Sequence, residues 1–420
     1  MLKLKKKLKF IILVLKSFFY HDNKFGSENF DFISVKNLYQ KAKSKKDFLK
    51  NSNKWSDLFL DSYVKFDKKL LLEISLNKKK AFFNAETNGI RIEKLFKKKI
   101  FFSGSIIANL KNIKIIDNSL LILIKKNLSL TEGYGDQRWA EYTINRWPKY
   151  HNYEDTLVRS ANLKYSIKKV KIYKNNEKKI FIKGPAIYLS LRKDNHFYHW
   201  VFENLTRLKC LESYPALKNY PIIIRDPLSR FQKETLKIMK VNNKIIYTKG
   251  KDVQITNLVF PSIPAPPTLN KDCLLWLRNK FLNNLKKTKT QKKLRLFISR
   301  KDTDHRKIIN EDQLYPILKK KGFTILELSK LKLRDQINYF RYAEVVVMAH
   351  GAAGTHMLFA PKNCTLIELQ SPTQVSTAIF KITQILQQKY SFLLGYNSNK
   401  NNDYFIDYKE ITNLLNKILK

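Results

Sequence analysis

The sequence predicts an α/β protein whose C-terminal half contains a parallel sheet. Short apolar segments of strand length alternate there with segments of helical pattern. The predicted strands are residues 294–299, 323–328, 345–348 and 365–369, and the predicted helices are 271–285, 310–320 and 331–341, with a helical turn beginning at 356–359. Strands that alternate with helices in this way imply right-handed crossovers between parallel strands.

The N-terminal half has a less regular pattern. Residues 1–60 are rich in Lys and are expected to be helical, whereas the short apolar runs of 69–130 are typical of strands. We predict a loop at 131–153, further strands at 180–191, 221–224 and within 241–260, and helices at 196–211 and 231–239. Four of the seven residues from 261 to 267 are prolines, which indicates a linker. We therefore predict three parts, residues 1–60, 61–265 and 266–420.

The net charge is strongly positive, at +46 from 81 Lys and Arg against 35 Asp and Glu. Such a charge raises the hypothesis of a nucleic-acid-binding protein. The excess is mostly Lys, accompanies abundant Asn and Ile, and is spread along the whole chain, so we favour A/T-rich codon usage as its main cause. A basic surface still attracts anionic lipid headgroups and phosphorylated ligands.

The N-terminus combines a basic stretch with an apolar run at 10–15. This run is too short to cross a membrane, which takes about 20 apolar residues, and no small-residue cleavage site follows it. A basic amphipathic helix on a membrane surface and a plain docking helix both remain open. The three cysteines, Cys210, Cys273 and Cys364, are scattered, which argues against a disulfide framework and a metal site.

A small-residue turn follows the predicted strand 345–348. Ligands of open α/β sheets bind at the carboxyl ends of strands, where small residues let backbone N–H groups approach a phosphate. The residues expected to do so here are Gly351, Ala352, Ala353, Gly354 and Thr355, with His350 and His356 on either side. The alternative is that Gly351 and Gly354 only make a tight turn.

Two arginines, Arg300 and Arg306, follow the predicted strand 294–299. Arginine binds phosphate oxygens in bidentate fashion, so these side chains are candidates for holding a diphosphate. Asp302 and Asp304 between them fit a polar loop, and we predict no metal there. Asn310 follows in the same segment.

A third candidate group lies on the predicted helix 196–211. His199, Glu203 and Arg207 are spaced by four residues and therefore share one face. A histidine beside a carboxylate can act as a general base, but an inert surface ladder of charged residues has the same spacing.

These segments together resemble glycosyltransferase family 61, with order and spacing that agree over about 110–370. The resemblance rests on Tyr198-His199-Trp200 with Glu203, Leu205-x-Arg207-Leu208, Ile298-Ser299-Arg300 with Arg306, Asn310-Glu311, Gly322-Phe323, Gln336, His350-Gly351-Ala352, Leu358-Phe359 and Ile367-Glu368. The chain departs from the family at His356, where Asn is common.

The resemblance implies a GT-B fold, in which two Rossmann-like domains face a cleft, with an extra N-terminal helical and strand-rich segment. Residues 61–265 would form the acceptor side and 266–420 the nucleotide-sugar side. Bacterial members of the family are associated with capsular or other surface polysaccharides, and eukaryotic members modify protein glycans. We expect a bacterial, cytoplasmic enzyme, with peripheral contact to the inner face of the membrane left open.

The implied reaction is an inverting transfer from a nucleotide sugar to a glycan or lipid-linked acceptor, without a cofactor or metal. The expected roles are general base for His199 oriented by Glu203, with His350 as the alternative; diphosphate binding for Arg300, Arg306, Asn310 and the backbone of 351–355; and ribose binding for Glu368, which could instead cap its strand. The competing hypotheses are a nucleic-acid-binding protein and a catalytically inactive scaffold. The first predicts a contiguous basic stripe, and the second predicts lost motif residues.

Overall fold

The computed structural model describes the chain in several ranges. These are residues 25–33, 55–60, 62–74, 86–87, 90–91, 96–97, 99–102, 104–117, 121–126, 128–130, 166–173, 179–191, 193–263, 270–286, 293–373 and 375–419.

Twenty strands are assigned in these ranges. They are β1 (Phe25–Ile33), β2 (Trp55–Phe59), β3 (Ser62–Val64), β4 (Leu71–Ile74), β5 (Glu86–Thr87), β6 (Ile90–Arg91), β7 (Ile100–Phe102), β8 (Ser105–Ile116), β9 (Leu121–Lys125), β10 (Leu128–Leu130), β11 (Ser166–Tyr173), β12 (Ile180–Tyr188), β13 (Ile222–Ile224), β14 (Ile245–Tyr247), β15 (Val253–Pro261), β16 (Leu294–Ile298), β17 (Phe323–Leu326), β18 (Ala343–Ala349), β19 (Thr365–Gln370) and β20 (Lys389–Leu394).

The helical segment 197–213, called α1 below, changes type along its length. It comprises an α-helical turn (Phe197–His199), a π-helix (Trp200–Asn204), a 3₁₀ helix (Leu205–Lys209) and a second α-helical turn (Cys210–Ser213). The other α-helices are α2 (Arg230–Ile238), α3 (Lys271–Asn284), α4 (Glu311–Lys320), α5 (Leu333–Arg341), α6 (Ala378–Ile385) and α7 (Tyr408–Ile418). Short 3₁₀ helices cover Lys68–Leu70, Pro215–Asn219, Leu328–Lys330 and Ala352–Leu358.

Most of the strands form two large sheets, and the pairs β3-β7 and β5-β6 form two small ones. The first has the order β11-β1-β10-β9-β8-β15-β12-β13-β14, with β2 added beside β8. Strands β15, β12, β13 and β14 run parallel, whereas β8 is antiparallel to β15 and β9. This sheet is therefore mixed, and only its β15-β12-β13-β14 part has the parallel arrangement expected of a Rossmann-like domain.

The second sheet is parallel throughout, in the order β17-β16-β18-β19-β20-β4. Its central strands β18 and β19 are buried along almost their whole length, as expected for parallel strands covered on both faces. The strand order reverses between β16 and β18. The chain continues from β16 to β17 toward one edge of the sheet, and from β18 to β19 and β20 toward the other. In open α/β sheets, ligands bind outside the carboxyl ends of the strands at such a switch point.

The α/β prediction is confirmed, and the strands and helices predicted for 271–369 match α3, α4, α5 and β16–β19 to within a few residues. The helical prediction for 1–60 is wrong at β1 and β2, and the rest of that segment lies outside the described residues, as does the loop predicted at 131–153. Strand β4, from the predicted second part of the chain, lies at the edge of the C-terminal sheet. The predicted boundary near 265 falls in an undescribed gap and stays a prediction.

One hydrophobic core joins elements of both sheets. It includes Trp200 and Leu205 of α1, Val259 of β15, Leu296 of β16 and Met357 of the turn after β18. Because these residues are buried together, the ends of α1 and of β18 are brought to the same region of the molecule.

Candidate active site

A cavity of about 460 Å³ lies between α1 and α2 on one side and the carboxyl ends of β16 and β18 on the other. Its walls come from both parts of the chain. They are formed by His196, Phe197, Arg230, Phe231, Glu234, Ile298, Ser299, Arg300, Asp302, Thr303, Arg306, Leu328, Ser329, Leu331, Leu333, Gln336, Ala349, Ala352, Ala353 and His356. The cavity therefore opens at the switch point of the parallel sheet.

Arg300 and Arg306 line this cavity together, as the sequence predicted. The Arg300 Nε donates to the His305 carbonyl oxygen at 2.9 Å, and among the described residues neither guanidinium has a carboxylate within salt-bridge distance. Burial, and then the charge of Arg306, lower the pKa of Arg300 to about 10, and burial also lowers the pKa of Arg306. Two half-buried cations that repel each other make this cavity attractive to an anion.

Glu311, at the start of α4, fixes the end of β16 that carries Arg300. One carboxylate oxygen accepts from the hydroxyls of Ser299 at 2.5 Å and Tyr315 at 2.6 Å, and the other accepts from the Arg300 backbone N–H at 3.1 Å. The carboxylate is buried. It therefore determines the direction in which Arg300 leaves its strand.

Gly351 lies directly against the Arg300 guanidinium. A Cβ atom added at Gly351 would overlap the guanidinium nitrogen, so any other residue there would require the Arg300 side chain to move. Its backbone is extended, with φ 167°, which any residue adopts, so the turn itself does not require glycine. The structure thus brings together the arginine after β16 and the turn after β18.

The rest of the predicted turn divides into residues at the cavity and residues in the core. Ala352 and Ala353 line the cavity. Gly354 and Thr355 are buried, a Cβ atom at Gly354 would overlap Ile379 of α6, and the Gly354 N–H donates to the Gly351 carbonyl oxygen at 3.0 Å. Gly354 and Thr355 therefore pack in the core, and the diphosphate contact predicted for their backbone stays a prediction.

Asn310 also has a structural role in place of the predicted donor contact. Its side-chain amide donates to the Ile406 carbonyl oxygen at 2.8 Å, and its amide oxygen accepts from the Ile406 N–H at 3.0 Å. Asn310 does not line the cavity. Both hydrogen bonds tie the start of α4 to the segment that precedes α7.

His199 and Glu203 form the predicted pair on α1. The distance from His199 Nδ1 to Glu203 Oε1 is 2.7 Å, and the side chains are 12% and 3% exposed. Arg207 is fully buried and donates to the carbonyl oxygens of Pro261 at 2.6 Å, Leu189 at 2.7 Å and Tyr188 at 2.8 Å. The alternative interpretation, an inert ladder of charged residues on the surface, is therefore wrong, because these three side chains are not on a solvated face.

His350 forms a second pair of the same kind after β18. Its Nδ1 lies 2.6 Å from Glu368 Oε1, and the other Glu368 oxygen accepts from Tyr390 Oη at 2.7 Å and Gln370 Nε2 at 3.1 Å. Glu368 is completely buried and both of its oxygens are bound by protein groups. We therefore reassign Glu368 from the predicted ribose contact to the positioning of His350.

Residues 197–367 match the family model described as Glycosyltransferase 61. The match begins at α1 and ends within β19. It contains the His199–Glu203 pair, His350, the two cavity arginines and the turn after β18, and it ends one residue before Glu368. Glycosyltransferase activity is thereby supported for this segment. A comparison with curated proteins finds no match.

His196 immediately precedes the glycosyltransferase 61 segment and was not among the predicted site residues. His196 lines the cavity, whereas His199 does not. The centroids of the two rings lie 5.3 Å apart. The signal in the sequence was the spacing of three between the two histidines. Which of them faces the cavity depends on how α1 lies against the C-terminal sheet, which local spacing does not determine.

No cluster of three or more His, Cys, Asp or Glu side chains suited to a metal ion occurs in the described ranges. Asp302 accepts from the Ser329 N–H at 3.3 Å, which gives it a structural contact. Within the same ranges, every helix is too short or too polar to cross a membrane. The N-terminal amphipathic helix considered from the sequence lies outside them.

Proposed function

We propose that the cavity binds the nucleotide-sugar donor of an inverting glycosyltransferase. The observation that carries the proposal is the pair of cations, Arg300 and Arg306, that line one cavity at the switch point of the parallel sheet and have no carboxylate within ion-pair distance in the described part of the chain. Guanidinium groups bind diphosphate oxygens through paired N–H donors and stabilise the charge that develops on a diphosphate leaving group.

We further propose a GT-B arrangement in which the cavity is the cleft between two α/β domains, 61–265 and 266–420. Residues from α1 and α2 would then face the acceptor, while those after β16 and β18 hold the donor. Support comes from the walls of the cavity, which combine both groups of elements.

An inverting displacement needs a group that removes the proton of the acceptor hydroxyl as the bond to the diphosphate breaks. We propose the His199–Glu203 pair, with His350–Glu368 as the alternative. In each pair the carboxylate accepts from Nδ1–H, which leaves Nε2 as the basic nitrogen. The proton passes to the imidazole, the sugar carbon forms its new bond to the acceptor oxygen, and the nucleoside diphosphate departs.

For the biological role we propose synthesis of a capsular or other surface polysaccharide on a glycan or lipid-linked acceptor. This places the enzyme in the cytoplasm, with its basic surface near anionic lipids. The net charge of +46 supports the proximity to anionic lipids, because a basic protein is attracted to their headgroups.

The test is a thermal-shift panel of nucleoside diphosphates and nucleotide sugars, with and without chelator. A ligand that binds only the folded chain raises the melting temperature. We expect one nucleotide class to do so, with the chelator having no effect.

The arginine variants Arg300→Ala and Arg306→Ala should each weaken binding of that nucleotide by about 10- to 100-fold, the value of a charged hydrogen-bond pair. The matched control is Arg334→Ala, since Arg334 is an exposed arginine of α5 outside the cavity walls. Equal affinity in all three variants would contradict the diphosphate site. Tight nucleic-acid binding without any nucleotide shift would favour the competing hypothesis.

A further inference from the structure

His196 contributes an imidazole to the cavity from the opposite group of elements to the two arginines. It lies just before α1, with its backbone N–H donating to the Lys193 carbonyl oxygen at 2.9 Å, whereas Arg300 and Arg306 follow β16. His196 is among the residues that line the cavity and is itself exposed. A ligand that spans the cavity would therefore meet the two guanidinium groups and this ring together.

The groups that act on the His196 ring are two cations, a second imidazole and one carboxylate. His199, Lys193 and Arg306 oppose its protonation, and only Glu203 favours it. Burial among the cavity walls, followed by these charges, lowers the pKa of His196 to about 4. The ring is therefore neutral at neutral pH as long as the cavity holds no anion.

A diphosphate beside the arginines would reverse this balance. Its negative charges offset the field of Arg306 and attract a proton to the nearby imidazole.

We propose that His196 is a proton-dependent third cation of the diphosphate site, neutral in the empty cavity at pH 6 and about half protonated at that pH when a nucleoside diphosphate binds beside Arg300 and Arg306. This inference rests on the proposed donor function. It makes the product bind more tightly as the pH falls, and it makes release of the product faster as the pH rises.

The experiment is isothermal titration calorimetry of the full chain with uridine, guanosine and cytidine diphosphate. Each titration is run at pH 6 and pH 8 in two buffers of different protonation enthalpy, which gives the number of protons taken up. If binding raises the pKa of His196 from about 4 to about 6, uptake at pH 6 is roughly half a proton. The nucleotide's own terminal phosphate also titrates in this range, so the quantity of interest is the difference between the wild type and His196→Asn.

We expect His196→Asn to lose this proton uptake at pH 6, and its affinity for the nucleotide to vary less between pH 6 and pH 8 than that of the wild type. The matched control is His305→Asn, since the His305 side chain is exposed and outside the cavity walls. It should show the same uptake as the wild type. Melting curves of each variant confirm that it is folded.

Equal proton uptake in the wild type and His196→Asn overturns the inference while leaving the donor site intact. Loss of uptake in His199→Asn but not in His196→Asn assigns the proton to His199 and also overturns it. If the wild type binds none of the three nucleotides, the proposed donor function itself fails, and the inference fails with it.

Discussion

Gly351 is the residue at which the two predicted motifs meet. Its requirement is steric, because a Cβ atom there would overlap the Arg300 guanidinium. We expect Gly351→Ala to displace Arg300 and weaken nucleotide binding by about tenfold or more, with a loss of unfolding free energy below about 2 kcal/mol.

A double-mutant cycle isolates this effect. In an Arg300→Ala background the added methyl group has no guanidinium to displace, so Gly351→Ala should cost little further affinity. Calorimetric titration of the four proteins gives the coupling. Additive losses would mean that the glycine acts on the ligand independently of Arg300.

At the scale of elements, Arg207 holds α1 to the ends of the neighbouring strands. Its guanidinium donates to carbonyl oxygens that follow or end β12 and β15, and it packs 4.7 Å from the centre of the Phe260 ring. We expect Arg207→Met to lower the unfolding free energy by at least about 3 kcal/mol, because three buried acceptors lose their donor at about 1–3 kcal/mol each.

Urea denaturation measures this loss, with Arg334→Ala as the exposed control. If Arg207→Met does not fold, Arg207→Lys keeps one donor and should show an intermediate stability. A loss below about 1 kcal/mol in the methionine variant would contradict the role assigned to Arg207.

Elements whose pattern is local could be predicted from the sequence. Strands β16 to β19 are short apolar runs between helical segments, and they were found where expected. Strand β4 joins the C-terminal sheet through pairing with β20, a partner more than 300 residues away, which no local pattern specifies. The change of α1 from α-helix to π-helix and 3₁₀ helix was likewise not visible in its apolar spacing.

At the scale of the whole molecule, strand topology accounts for the part of the candidate site that the sequence could bring together. Parallel strands place their carboxyl ends at one edge, so Arg300 and Gly351 meet. Asn310, Gly354 and Glu368 are held by contacts within the protein, and the ligand-binding roles predicted for them stay predictions. His196 was missed because its position on the cavity wall depends on the packing of α1 against a distant part of the chain.

His356 packs between α1 and α5. Its ring stacks on Phe197 of α1 with centroids 4.9 Å apart and on Phe340 of α5 at 5.0 Å, while Nε2 lies 2.7 Å from Gln336 Oε1. Burial lowers the pKa of His356 to about 4, against about 6.5 for an exposed histidine. The native state therefore holds a neutral imidazole between two aromatic rings.

This predicts a loss of stability in mild acid. Between pH 6.5 and 4 the unfolded chain binds a proton at this position that the native chain does not, so the unfolding free energy falls as the pH is lowered through this window. From pH 7 to pH 5, His356 alone should account for about 2 kcal/mol of that fall. The pKa of His196 is also lowered, so His196 acts in the same direction, but it is present in both proteins compared below.

The measurement is urea denaturation of the wild type and His356→Asn at pH 7 and pH 5. Asparagine loses the aromatic stacking at both pH values, so the variant is expected to be less stable at pH 7 and to approach the wild type at pH 5. His305→Asn, at an exposed position, should follow the wild-type pH dependence. Parallel pH profiles of the wild type and His356→Asn would show that the imidazole titrates alike in the folded and unfolded chains, and the packing between the two parts of the molecule would then place no constraint on its charge.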